Sequence, residues 1–251
     1  MADRLESAWL KLDRAHEHRE TFSRLGTERG HEITRPWPLS HDPENDEFTL
    51  TLGKVPSPKP GLSLVLGDAV HNYRSALDHL AFQLVKHPDR KPREKRTPDG
   101  EISFPICASE KTYCAKSIQG AADRAKDEIR AIQPFNLGWD PLLVLKKLDD
   151  RDKHRTIHLV THTISAGFLR NDVLASSWLI GAKTPIKDAR VLARWKFRPD
   201  ADRQADIGPF IGLGFEFAEG IAKGAEVLGV LDRIDYTVRA VIDRLARYVA
   251  P

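Results

Sequence analysis

The stretch from Gly67 to Val85 constrains the fold most, because its spacing predicts a helix with two chemically distinct faces. At about 100° per residue, six apolar side chains fall on one continuous arc: Tyr73, Ala76, Leu77, Leu80, Ala81 and Leu84. The opposite arc carries His71, Asn72, Arg74, Ser75, Asp78 and His79. Asp68 is predicted to be the N-cap. A surface helix normally presents Lys and Glu, so this selection of proton-transferring and anion-binding side chains is a functional lead.

The composition predicts a soluble globular protein. Of 251 residues, 41% are hydrophobic and 30% charged, and the net charge is +3. No apolar run approaches the roughly 18 residues that a membrane helix needs, and the acidic start of the chain is unlike a signal peptide. With only two cysteines, Cys107 and Cys114, we expect neither a disulfide framework nor a Cys-rich zinc site. A cytoplasmic protein without membrane attachment is the expectation.

Hydrophobic periodicity also predicts the other elements of the fold. Besides the central helix, we expect helices over 3–25 (ended by Gly26), 118–132, 142–155 (with Asp140 as N-cap and Pro141 at the first helical position) and 225–249. Strands are predicted over 32–34, 47–52, 173–180, 189–197 and 207–218, and residues 156–164 fit a helix or a strand. The prediction is an α+β fold, with a helical bundle-like core and a small antiparallel sheet from the C-terminal half. We expect a single domain over 1–251, with a division into 1–165 and 166–251 as the alternative.

Arg74 and His79 form an Arg-x4-His spacing that resembles the motif of HEPN-domain ribonucleases. The resemblance implies metal-independent RNA cleavage at a site shared by two protomers. The histidine would move a proton and the arginine would stabilise the negative phosphorane. Here His79, or alternatively His71, is the predicted proton-transfer group, and Asp78 is the predicted orienting partner.

A second polar cluster follows an apolar run in the helix predicted from residue 140. If it is helical, Asp149 reaches Lys153, Asp150 reaches His154 and Asp152 reaches Arg155. A self-paired, solvated helix end would explain this pattern. The functional alternative is substrate binding by five residues: Asn72, Asp152, Lys153, His154 and Arg155. In that alternative the three cations hold a phosphate or a carboxylate, and Asp152 orients them.

Three segments together resemble a family of bacterial proteins of unknown function: His71–Ala81, Phe104–Ile106 and Asp152–Arg155. The likeness spans roughly residues 62–160. It implies a related fold and supplies no activity. We expect the polar faces of 71–79 and 149–155 to meet in one pocket.

Two other kinds of site are weighed and not adopted. His154, His158 and His162 recur every four residues, a spacing that suits zinc, and His71, Asp78, Asp149 and Asp152 could form a metal site in a bundle core. No metal or other cofactor is expected. Ser75 lies one turn from His71 but is interpreted as a solvated side chain, and the tryptophans are interpreted as packing residues.

Three hypotheses remain from the sequence. The first is a metal-independent ribonuclease, with RNA or a nucleotide as ligand and a homodimer as the assembly. The second is a non-catalytic module that binds a nucleotide, a small anion or a partner protein. The third is that the His/Arg/Asp network is structural, with ion pairs that pin two helices together.

Overall fold

A computed structural model describes residues 4–33, 38–53, 57–86, 97–168, 170–181, 190–202 and 209–249. The helices are α1 (Glu6–Ile33), α2 (Pro60–Val85), α3 (Asp123–Ala131), α4 (Asp140–Asp152) and α5 (Val227–Ala246). The strands are β1 (Leu39–Asp42), β2 (Glu47–Thr51), β3 (Leu159–Phe168), β4 (Leu174–Leu179), β5 (Val191–Phe197) and β6 (Pro209–Phe217). The predicted α+β class is confirmed.

The central helix α2 packs against α1, α4 and α5, so it lies in the middle of a helical bundle. All six residues of its predicted apolar arc are buried. Burial of each leucine on this arc contributes about 2 kcal/mol to folding. The predicted inner face of α2 is therefore correct, and it explains why the helix forms at this place in the chain.

Helix α2 starts seven residues before the predicted start, at Pro60, and Lys59 is its N-cap. Asp68 is an exposed residue within the helix, so its prediction as the N-cap is wrong. Leu62 and Leu66 are buried and extend the apolar stripe towards the N-terminus. Gly67 lies inside the helix, where a glycine costs about 1 kcal/mol. The burial of Leu62 and Leu66 outweighs this cost.

Helix α1 is also longer than predicted, because Gly26 does not end it. The glycine lies inside the helix, and a Cβ at this position would come within 3.2 Å of the Phe215 ring. Glycine therefore allows β6 to approach α1 closely, and the helix continues to Ile33. The predicted strand over 32–34 is wrong for Glu32 and Ile33, and Thr34 lies outside the described residues.

The strands form two antiparallel sheets. One has the order β1-β2-β5-β4, and the other pairs β3 with β6. Residues 156–164 were predicted as a helix or a strand, and the strand is correct from Leu159 onwards. Helix α4 ends at Asp152, and β3 begins at Leu159. The four-stranded sheet combines an early hairpin with two strands from the C-terminal half.

Two hydrophobic clusters organise the molecule. The larger one joins the helices to β3 and β6. The smaller one lies on one face of the four-stranded sheet and includes Leu50, Leu192 and Trp195. Whether the chain is one domain or divides at residue 165 stays a prediction. Among the described helices, none has the length and apolar character needed to cross a membrane.

Candidate functional site

Arg74 and Asp78 lie one turn apart on the polar face of α2 and form a bidentate ion pair. The Arg74 Nε–Asp78 Oδ2 distance is 3.1 Å, and the Nη2–Oδ1 distance is 2.8 Å. Both side chains also bind the backbone of Phe104. Arg74 Nη2 donates to the Phe104 carbonyl at 2.9 Å, and the Phe104 N–H donates to Asp78 Oδ1 at 2.8 Å. With 13% of its side chain exposed, Arg74 has a structural role in holding this segment on α2.

The residues that follow Phe104 are held in the same way by side chains from other elements. Gln133, which is fully buried, donates to the carbonyl of Pro105 at 2.9 Å and accepts from the N–H of Cys107 at 2.9 Å. Lys146 on α4 donates to the carbonyl of Ile106 at 3.2 Å. These bonds satisfy backbone groups that no strand pairs, as burial requires. Sequence reasoning did not identify the role of Gln133 or Lys146.

His71 lies where α2 crosses α4, with its two ring nitrogens facing different groups. Nδ1 is 3.4 Å from Asp149 Oδ1, and Nε2 is 3.5 Å from Ser75 Oγ. Asp149 is buried, whereas the His71 side chain is 58% exposed. The other Asp149 oxygen lies 2.6 Å from Lys153 Nζ, which confirms the predicted pairing of these two residues. A buried carboxylate behind an accessible imidazole, with a hydroxyl in front, is an arrangement used for nucleophilic catalysis.

Asp152 lies at the end of α4, against the backbone of α2 at Gly67. A Cβ at Gly67 would come within 2.4 Å of Asp152 Oδ1, so only glycine allows this approach. Burial raises the pKa of the Asp152 carboxyl, and the nearby negative charges of Asp68 and Asp149 raise it further. The surroundings of His71 are therefore acidic.

A cleft of about 230 Å³ separates α2, α4 and the segment after Ser103. Three cationic side chains line it: Arg74, Lys146 and Lys153. Asp149 also lines the cleft and connects it to His71. Of the predicted site residues, Arg74 and Lys153 line the cleft, whereas His71 and Asp152 do not, and His71 adjoins it through Asp149.

His79 faces a different part of the molecule. It lines a separate cavity of about 390 Å³ together with Phe82 and Gln83. Burial lowers the pKa of the His79 imidazole, and the positive charge of Lys11 on α1 lowers it further. Arg74 does not line this cavity, although its ion-pair partner Asp78 does, so a joint role of Arg74 and His79 stays a prediction.

The remaining predicted ligand-binding residues lie outside the cleft. Asn72 donates to the carbonyl of Asp68 in its own helix at 2.8 Å. His154 and Arg155 follow the end of α4, where both side chains are exposed and neither lines the cleft. The helix ends before these residues, so the local pairings predicted from helical spacing, Asp150 with His154 and Asp152 with Arg155, lose their basis.

The histidines considered as zinc ligands are separated by the chain's change from helix to strand. His154 and His158 are exposed, whereas His162 is buried in β3. His158 Nδ1 lies 3.0 Å from the carboxylate of Glu219. In the part of the chain that the structure describes, no group of three or more His, Cys, Asp or Glu side chains is arranged to hold a metal ion.

No protein-family model, curated protein or solved structure matches this chain. The resemblances to HEPN-domain ribonucleases and to the bacterial family of unknown function rest on the quoted motifs alone.

Two residues of the most reactive arrangement, Ser75 and Asp149, were not among the predicted site residues. A signal for Ser75 was present, because residues four apart on a helix are neighbours and His71 precedes it by four. For Asp149 the signal was its place directly after the apolar residues of α4, which predicts a polar side chain at the edge of the core. The polar faces of 71–79 and 149–155 were expected to meet, and the His71–Asp149 contact lies between them, but which side chains pair depends on how the two helices pack.

Proposed function

We propose that the chain is a hydrolase in which Ser75 is the nucleophile, His71 the general base and Asp149 the group that orients the imidazole. The position of the His71 ring carries this proposal. Its Nε2 faces the serine hydroxyl at 3.5 Å, and its Nδ1 faces the buried carboxylate at 3.4 Å. A Ser–His–Asp arrangement has the same division of roles between the two nitrogens. Catalytic hydrogen bonds are often this long before substrate binds.

The exposure of the imidazole favours a catalytic role over a structural one. A histidine that only joined two helices would be buried between them. His71 instead keeps 58% of its side chain exposed, while its carboxylate partner is buried and held by Lys153. Asp149 is therefore held in place, and the His71 imidazole is accessible to a substrate.

The reaction uses these side chains in two steps. Ser75 Oγ attacks the carbonyl carbon of an ester, its proton passes to His71 Nε2, and Asp149 stabilises the resulting imidazolium. The imidazolium then protonates the leaving alcohol as the bond between the carbonyl carbon and that alcohol's oxygen breaks. Water, deprotonated by His71, hydrolyses the acyl-Ser75 ester, which releases the acid and restores the serine.

The charge around His71 favours an uncharged or cationic ester as the substrate. Asp68, Asp149 and Asp152 are close enough together that the first two raise the pKa of the third. A polyanion that approached the imidazole from this side would be repelled by these carboxylates.

Cleavage of RNA is the second candidate, and the cations of the cleft favour it. Arg74, Lys146 and Lys153 line the same 230 Å³ cleft as Asp149. In this proposal His71 deprotonates the 2′-hydroxyl of the substrate, which then attacks the adjacent phosphorus, and Ser75 has no chemical role.

The test compares hydrolysis of p-nitrophenyl esters by the wild type, Ser75→Ala and His71→Gln in the presence of EDTA. We expect Ser75→Ala to lower kcat by about 10³-fold or more, and His71→Gln by about 10²–10⁴-fold. Ser23→Ala, on helix α1 and outside the cleft, is the matched control and should retain full activity. A fluorophosphonate should form one covalent adduct, on Ser75, with loss of fluoride.

Each outcome distinguishes the two candidates. Absence of ester hydrolysis and of the Ser75 adduct in the folded wild type would overturn the serine mechanism. RNA cleavage that is retained in Ser75→Ala and lost in His71→Gln would establish the second candidate instead.

A further inference from the structure

On one face of the four-stranded sheet, none of the described strand residues contributes to its hydrophobic cluster. On this face the register aligns Thr49 of β2, Arg194 of β5 and Trp178 of β4. The next residue along β5, Trp195, packs on the opposite face with Phe48 and Phe168. Side chains alternate between the two faces of a strand, so Trp178 and Arg194 are direct neighbours on the open face.

Trp178 is 51% exposed, although it is one of the largest apolar side chains in the chain. Sequence reasoning interpreted the tryptophans as packing residues, and for Trp178 this interpretation is wrong. An indole that adds nothing to the core leaves apolar surface in water. Tryptophan in this position is suited to contact with a flat ligand, because its indole offers a large and rigid surface.

A concavity of about 440 Å³ lies beside this indole. Glu47, Ser176, Trp178, Val191 and Arg194 line it. Its volume is in the range of small-molecule sites, which are concave and contain a few polar groups that orient the ligand. The site therefore combines a stacking surface, a cation, a carboxylate and a hydroxyl.

We propose that this face binds an unpaired nucleobase together with its phosphate. The base stacks on the Trp178 indole, and the phosphate lies against Arg194, whose side chain is 53% exposed. Lys196, two residues along β5 on the same face, extends the cationic strip. Bases stack on exposed aromatic side chains in single-stranded nucleic-acid binding, and arginine supplies the contact to the backbone.

Glu47 distinguishes this site from a simple cationic patch. Its carboxylate lies 4.0 Å from Arg194 Nε, so the site contains an acid as well as a cation. A neutral sugar would also stack on an indole, but it has no group that requires Arg194. The chemistry of the site therefore favours a nucleotide. This site is independent of the hydrolytic proposal, because it is built from the sheet.

The test measures binding of fluorescein-labelled oligo(U) by fluorescence anisotropy, and of AMP by quenching of the intrinsic tryptophan fluorescence. We expect Trp178→Ala to weaken oligo(U) binding about 5- to 150-fold. Trp178→Phe, which keeps an aromatic surface, should retain most of the affinity. Arg194→Gln should weaken binding and lower the salt dependence by about one released ion.

Two variants serve as controls, because they remove similarly exposed groups elsewhere. Tyr236→Ala removes an exposed ring on α5, and Arg130→Gln removes an exposed charge on α3. Both should bind as the wild type does. Binding of oligo(U) but not AMP identifies a strand as the ligand, and binding of AMP alone identifies a free nucleotide.

Three results would overturn the proposal. One is a folded wild type that binds neither probe at millimolar concentration. Another is Trp178→Ala with unchanged affinity. The third is a neutral oligosaccharide that binds in a Trp178-dependent manner while both nucleotide probes do not.

Discussion

The carboxylate of Asp78 accepts the backbone N–H of Phe104 at 2.8 Å and so ties an irregular segment to the middle of α2. Arg74 completes the attachment, because it binds the same carboxylate and the carbonyl of Phe104. Arg74, half of a motif that resembles a ribonuclease signature, is thus occupied in holding the fold. The candidate reactive group on this helix is therefore His71 and not Arg74.

Loss of this attachment is expected to destabilise the protein. Arg74→Ala and Asp78→Ala should each lower the free energy of unfolding by about 3 kcal/mol, because each leaves a partly buried charge unpaired. Urea denaturation measures the effect. Arg14→Ala removes an exposed pair with Glu17 on α1 and should cost less than about 1 kcal/mol. Equal effects of Arg74→Ala and Arg14→Ala would contradict the structural role.

Gly67 and Asp152 should be coupled in stability. Gly67→Ala places a methyl group within 2.4 Å of Asp152 Oδ1 and is expected to cost about 1–3 kcal/mol through overpacking. In an Asp152→Ala background the same change should be neutral or stabilising, because alanine favours a helix over glycine by about 1 kcal/mol. A double-mutant cycle measures the coupling. Additive effects would show that the two positions do not touch.

The raised pKa of Asp152 predicts a pH dependence of stability. The folded state holds this proton more tightly than the unfolded state, whose pKa is about 3.9. The carboxyl therefore contributes most to stability below that value and loses the contribution as pH rises through the raised pKa.

Asp152→Asn tests that dependence, because it keeps the shape and removes the charge. We expect it to raise Tm relative to the wild type at pH 7 and to have little effect at pH 3. The exposed Asp150 is also near the end of α4, so Asp150→Asn controls for removal of an acid from a helix C-terminus. An equal rise in Tm in both variants at pH 7 would show that the effect comes from the helix dipole alone.

His79 should have the opposite dependence to Asp152. Burial and Lys11 lower its pKa in the folded state, so the unfolded state binds the proton more readily. Stability from the neutral imidazole is present above about pH 6.5 and is lost as pH falls through the lowered pKa. His79→Gln should flatten the fall in Tm between pH 7 and pH 5, while the exposed His16→Gln on α1 should not. An unchanged slope in His79→Gln would refute this assignment.

RNA cleavage in EDTA tests the motif that Arg74 and His79 form. If a single chain acts through His71, His79→Ala should cleave RNA as the wild type does, because His79 lines a different cavity. Arg74→Ala removes a cation from the cleft as well as an attachment of the fold, so it should lose activity, and circular dichroism measures how much of the loss is unfolding. Loss of cleavage in both variants while they remain folded would instead favour a site shared by two protomers.

Much of the fold follows from local patterns in the sequence. The buried arc of α2 and the strands β4, β5 and β6 were predictable, because periodic spacing of apolar residues records which side faces a core. The errors concern the ends of elements and the strand predicted over 32–34, which is helix at Glu32 and Ile33. Gly26 and Asp68 have the chemistry of helix ends, but the ring of Phe215 and the buried Leu62 and Leu66 favour longer helices at these positions.

The candidate site was predictable only in part. The sequence by itself determined that one face of α2 would be polar and rich in proton-transferring groups, because residue types and helical spacing are local properties. Only the tertiary structure decided the partners of those groups. Arg74 binds Phe104, thirty residues away, and His71 meets Asp149, seventy-eight residues away. Such contacts depend on how helices pack, since a hydrogen bond is made or lost within an ångström.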